Sequence, residues 1–121
     1  MQINRRSLLD GAQTTADTTV VIDVFRAFTC EPLMYYYGAD AVYLESDIPT
    51  CIARRGDALL VGENNELPIE SFDLTNSPSL IMRHGAAMFS GRRVIHRTTA
   101  GVTGAVAAID AADTVLLASY A

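Results

Sequence analysis

The chain has no lysine: all nine of its basic residues are arginine. Contact with an anion must therefore use the planar guanidinium fork, which grips phosphate or carboxylate through two parallel bonds. Codon usage in a GC-rich genome gives the same bias, so the bias alone names no ligand. Cysteine is scarce as well. Cys30 and Cys51 form no Cys-x-x-Cys pair, which removes the usual spacing of a zinc site or a dithiol redox motif and leaves them as reduced core thiols. No Pro/Gly/Ser-rich tract is present, charged residues make up 19% of the chain and half of it is apolar, so the composition is globular rather than disordered. No apolar run reaches membrane-spanning length. The opening Met1-Gln-Ile-Asn-Arg-Arg leads into Ser7-Leu-Leu-Asp-Gly11 rather than the apolar core of a signal peptide. The expectation is a cytoplasmic protein without a membrane partner.

What is present points to one α/β domain spanning residues 1–121, since 121 residues suit a single core. A net charge of −5 disfavours nucleic acid, whose phosphates the overall field would repel, while leaving room for a small anion at a local arginine. Apolar strand-like runs recur at Val20 to Val24, Ala41 to Glu45, Leu59 to Gly62, Arg93 to His96 and Thr114 to Ala118, with helix-compatible stretches between most of them. The first helix is expected from Ala27 or Phe28 to Tyr37, with Gly38 as its C-cap and Pro32 in its first turn. Asp47-Ile-Pro-Thr opens a second helix to about Arg55, Asn76-Ser77-Pro78 a third toward Met88, and Gly101 to Ile109 is a fourth. Residues 63 to 75 carry four carboxylates and show neither period, so they read as a long functional loop.

The chemistry-bearing residues gather at strand ends. Asp23 and Arg26 follow the first strand, Glu63 follows Leu-Leu-Val-Gly, Asp73, Asn76 and Ser77 lie in the long loop, and Arg97-Thr98-Thr99 follow His96. In a parallel sheet these ends share one edge, where open α/β folds bind ligands. Asp23, Glu63 and Asp73 offer hard oxygen ligands suited to Mg²⁺. Arg26 and Arg97 offer a phosphate clamp, and Thr98, Thr99 and the N–H groups opening the Gly101 helix offer an anion-binding terminus. Each residue also has an ordinary use. A lone Asp at a strand end caps or turns, Asn76-Ser77-Pro78 is a capping sequence, Glu66 and Glu70 are solvated charges, His84 is a surface residue, and His96 reads as a satisfied core or edge histidine rather than a base.

Four blocks carry a resemblance: Val-Ile-Asp23-Val-Phe-Arg26-Ala-Phe-Thr, Leu-Leu-Val-Gly-Glu63, Phe72-Asp-Leu-Thr-Asn-Ser-Pro78 and Arg97-Thr-Thr-Ala-Gly101. In this order and spacing they resemble the 2-phosphosulfolactate phosphatase family from about residue 19 to the end. The resemblance implies a three-layer α/β/α fold with a largely parallel or mixed sheet, matching the N-terminal half of longer family members. It also implies a Mg²⁺-dependent phosphatase acting on a small phosphorylated hydroxy acid such as 2-phosphosulfolactate, on the route to coenzyme M. The implied catalytic set is Asp23, Arg26, Glu63 and Asp73, with Asp23, Glu63 and Asp73 on the metal. Arg26, Asn76, Ser77, Arg97, Thr98, Thr99 and Gly101 would bind phosphate. This chain departs from the family pattern at Thr75, where a glycine is usual, and at Ala100 and Val102, where the phosphate block usually has Asn and Thr, with Thr103 as a partial substitute. The rival reading is a shortened, inactive relative that binds an anion or a partner. A nucleotide-binding regulator is disfavoured because neither Gly-x-Gly-x-x-Gly nor a Walker-type lysine loop occurs. Strands apolar on both faces, with about half the family's length to cover them, predict a homo-oligomer.

Overall fold

The computed structural model describes residues 2–120. A short helix α1 (Leu8–Ala12), not expected from the sequence, precedes strand β1 (Ala16–Ile22) and helix α2 (Ala27–Tyr36). Then follow β2 (Ala41–Leu44), α3 (Ile48–Arg54), β3 (Leu59–Asn64) and β4 (Leu67–Pro68). Helices α4 (Pro78–His84) and α5 (Ala86–Phe89), strand β5 (Arg93–Arg97), helix α6 (Gly101–Ile109) and strand β6 (Ala112–Ala118) complete the order.

The strands form two groups. β2, β5 and β3 run parallel in the order β2-β5-β3, with β4 antiparallel at the β3 edge, and β1 pairs in parallel with β6. Both faces of the larger sheet are covered, which makes three layers. Leu59, Val61 and Val94 point to one side and pack with Cys30 and Met34 of α2, Ile81 of α4 and Phe89 of α5. Leu60 and Ile95 alternate to the other side against Cys51 of α3 and Phe72. Both cysteines are free and buried, and burial pushes their thiols up, to about 12 for Cys30 and about 11 for Cys51. Among the described residues no helix is long and apolar enough to cross a membrane.

Local sequence accounts for most element ends. Asp47 caps α3, its carboxylate accepting the Thr50 N–H at 2.9 Å and the Thr50 hydroxyl at 2.6 Å. Helix α2 stops just before Gly38, as expected. Pro32, however, sits inside α2 rather than in its first turn, because the helix already begins at Ala27. The expected third helix is two: Gly85 takes φ +55° and ψ −150°, a conformation open essentially to glycine, and separates α4 from α5. The 63–75 stretch is not one irregular loop. Asn65 and Glu66 both take positive φ, 50° and 66°, and form a two-residue hairpin turn from β3 into β4.

The β1–β6 pair is covered on one side only. Val21 lies toward α6, whereas Val20, Ile22 and Leu116 are 51%, 69% and 52% exposed. Phe89, by contrast, is fully buried at the centre of the α2/α4/α5 layer. Phe89→Ala should therefore cost about 3–5 kcal/mol, the usual price of emptying an aromatic core site. Urea unfolding should show a lower midpoint at an unchanged slope, and an unchanged midpoint would mean this layer is not the main core.

Candidate functional site

Asp23 leaves the carboxyl end of β1 and lies at the start of two helices. Its carboxylate accepts the backbone N–H of Ala27, the first residue of α2, and that of Gly101, the first residue of α6. Both helix dipoles present their positive ends to it. The closeness depends on Gly101: a Cβ there would run into the Asp23 carboxylate and the Ala27 methyl. Burial raises the Asp23 pKa above its ordinary 3.8, against the lowering effect of the two N–H bonds and of His96, with the negative charge of Glu63 adding to the rise. Glu63 stands on the same edge, since it takes the N–H of Thr99, two residues before Gly101.

Glu63, at the end of β3, is buried and its oxygens are engaged. Oε1 accepts the Thr99 N–H at 2.6 Å, and Oε2 accepts the Glu66 N–H at 2.6 Å and the Thr99 hydroxyl at 3.3 Å. Arg97, at the end of β5, is tied down nearby. Its Nε donates to the Ser46 carbonyl at 3.1 Å, and its Nη1 lies within reach of the Glu63 carbonyl (2.6 Å), Asn64 Oδ1 (3.2 Å) and Thr99 Oγ1 (3.1 Å). This guanidinium holds three loops together. Thr98 is buried, its hydroxyl accepting the N–H of Val102 in the first turn of α6 at 2.9 Å, while the Thr103 hydroxyl donates to the Thr98 carbonyl at 3.0 Å.

The structure thus brings Asp23, Glu63, Arg97, Thr98, Thr99 and Gly101 to the carboxyl ends of the parallel strands, with Arg26 just beyond Asp23 as the N-cap of α2. Of the other expected residues, Asp73 lies away from this edge, whereas Asn76 and Ser77 lead into α4, whose Pro78 lines a cleft with Arg26. Asp73 accepts the Leu60 N–H at 2.8 Å and pairs with Arg55 at 2.5 Å, because the bridge between Leu74 and Val61 lays this segment beside the first half of β3. Leu60 and Glu63 are three residues apart on that strand, roughly 10 Å. Asn76 is buried, with Oδ1 3.0 Å from His96 Nε2, and Ser77 is the N-cap residue of α4, its hydroxyl 3.1 Å from that of Ser79. The sequence reading missed Glu31. Its Oε1 lies 2.9 Å from Nδ1 of the fully buried His96, so the ring is held from both sides, the satisfied core histidine that was expected. The available signal was a lone acid amid the apolar residues of α2.

Among the described residues no three His, Cys, Asp or Glu side chains gather as a metal-binding group. The expected Asp23, Glu63 and Asp73 set is therefore not assembled, for the reason given by the Asp73 contacts. Mg²⁺ commonly takes most of its shell from water and phosphate, and the carboxylates this edge offers are Asp23 and a Glu63 whose two oxygens already accept the Thr99 and Glu66 N–H groups.

Acids, an arginine and a helix start thus lie at the carboxyl edge of the parallel strands, the edge where open α/β folds bind ligands. The sequence model of the 2-phosphosulpholactate phosphatase family matches residues 4–121, and the chain belongs to this family. It is 38% identical over 104 residues to a protein of Thermus thermophilus, covering 85% of this chain and 43% of that one. It is 35% identical over 99 residues to one of Bacillus subtilis (79% and 42%) and 39% identical over 106 residues to one of Deinococcus radiodurans (85% and 43%). All three bear the name "Probable 2-phosphosulfolactate phosphatase". The chain thus spans less than half the length of these relatives.

The Asp23 environment predicts a pH effect. A carboxyl whose folded pKa lies above its unfolded one favours the fold in its protonated form, so that contribution is complete below 3.8 and is lost as pH rises through the folded value. Compared with Asp23→Asn across that interval, the wild type should lose unfolding free energy as pH rises. A difference that stays flat, or that grows in favour of the wild type, would contradict the dominance of burial.

Proposed function

We propose that the chain carries the phosphate-binding edge of a Mg²⁺-dependent phosphatase that hydrolyses a small phosphorylated hydroxy acid, the class to which 2-phosphosulfolactate belongs. The observation that carries this reading is the juxtaposition of Asp23, Arg26 and the starts of α2 and α6 at one strand edge. Arg26 neutralises phosphoryl oxygens through its guanidinium fork. Asp23 stands three residues before it, its carboxylate held by the N–H groups that open α2 and α6. Bound Mg²⁺ would be held by Asp23, with Glu63 behind it, and would supply charge neutralisation to the phosphate. The attacking group is a water or a carboxylate. Glu63 and Arg97 act as positioning residues for the Thr99 loop. We place this activity in the cytoplasm, where Cys30 and Cys51 stay reduced.

A second reading is a binding module without turnover. It is favoured by the internal engagement of Glu63, Asp73, Asn76 and Arg97, and by the length of the relatives. Phosphate release from an aryl phosphate, with Mg²⁺ and then with chelator, separates the two. Release should require Mg²⁺, and Arg26→Ala should lower it by about 10- to 100-fold, the effect of losing one charge-assisted bond of about 1.5–3 kcal/mol, with unfolding unchanged. Binding of inorganic phosphate without release under any condition would favour the second reading.

We also propose that the chain is a homo-oligomer, supported by the exposed Val20, Ile22 and Leu116 on the bare face of the β1–β6 pair. Light scattering should give a particle larger than one chain, and Ile22→Glu should shift it toward the monomer. A monomer over a wide concentration range would sink this proposal.

A further inference from the structure

A cleft of about 320 Å³ opens between the loop after β1 and the start of α4, lined by Val24, Phe25, Arg26, Thr29 and Pro78. Val24, Phe25 and Pro78 make it apolar, and Thr29 spends its hydroxyl on the Val24 carbonyl at 2.9 Å. Arg26 is the one charged side chain in the lining. Arg54 pairs with Glu45 at 3.2 Å, Arg55 with Asp73, and Arg97 donates to the Ser46 and Glu63 carbonyls, so these three cations are engaged away from the cleft. Asp23 adjoins Val24 in the chain, and Glu31 is buried with its carboxylate on His96.

A substrate bearing a second strong acid beside its phosphate would find no second cation among the described residues that line this cleft. An apolar group would instead lie on Phe25, Val24 and Pro78 and remove their surface from water. Phe25 is otherwise 92% exposed.

We propose that this cleft holds the body of the substrate, and that the substrate of this chain is a phosphate monoester whose side group is apolar, in place of the sulfonate after which the relatives are named. The phosphate meets Arg26 and the apolar group covers Phe25. The proposal rests on the phosphatase reading of the same edge and specifies its substrate class.

Calorimetric titration of the full chain with phenylphosphonate and with 2-phosphonoethanesulfonate tests it, since neither carries a hydrolysable phosphate ester. Phenylphosphonate should bind at least about tenfold more tightly, a difference of about 1.4 kcal/mol. Phe25→Ser, a change at an exposed position, should weaken phenylphosphonate alone and erase the difference, and Arg26→Ala should weaken both probes. Equal or tighter binding of the sulfonate, a preference untouched by Phe25→Ser, or no binding of either probe would overturn the assignment. Phosphate release from phenyl phosphate is scored separately. Selective binding without release would sink the phosphatase reading and support the cleft, whereas release without selectivity would do the reverse.

Discussion

The Asp23 carboxylate joins two parts of the molecule that no strand pairing connects. It ends β1, which pairs only with β6 among the described residues, yet it takes the N–H of Gly101, which follows β5 in the larger sheet. Through it the starts of α2 and α6 meet, and Ala27, Phe28 and Ala105 pack into a small apolar cluster with Val21 and Leu44 beneath the junction. A side chain at position 101 would force the two helices apart. The carboxylate can stay there, partly withdrawn from water, because two N–H groups and two positive helix ends compensate it in part.

Around this junction the polar groups are largely spent on one another. Among the described residues every buried side-chain nitrogen or oxygen has a hydrogen-bond partner. Glu31, His96 and Asn76 connect α2, β5 and the lead into α4 through the interior, and Glu63, Thr99 and Arg97 lace together the loops after β3, β5 and β2. Leaving such groups unpaired would cost about 1–3 kcal/mol each, so these networks hold the loop geometry on which any ligand at the edge would depend. They also leave few side chains to meet a ligand, which sets Arg26 apart.

Coverage is uneven for a physical reason. The larger sheet has helices on both faces and a continuous core, whereas the β1–β6 pair has α6 on one face and exposed apolar residues on the other. A two-stranded sheet is marginal by itself and leans on whatever packs against it. The relatives carry more than twice this length of matched chain.

Which features the sequence alone determined follows from the range of the interactions behind them. The periods of Val20 to Val24, Leu59 to Gly62 and Arg93 to His96, the Asp47 cap and the stop at Gly38 are local choices, made by residues a few positions apart, and the layered α/β class follows from their alternation. The four motif blocks likewise pointed to the family. The hairpin at Asn65-Glu66 escaped notice because its turn lacks glycine, and its two positive φ angles are sustained by bonds to Thr99 and Glu63, distant in the chain or formed only once it folds. Tertiary structure alone decided which acids work together. Asp73 and Asp23 look equivalent in sequence, yet the pairing of Leu74 with Val61 commits one to Leu60 and Arg55, while the approach of α6 to α2 commits the other to the Ala27 and Gly101 N–H groups. No local pattern encodes that difference, because it arises where segments meet that lie up to about eighty residues apart in the chain.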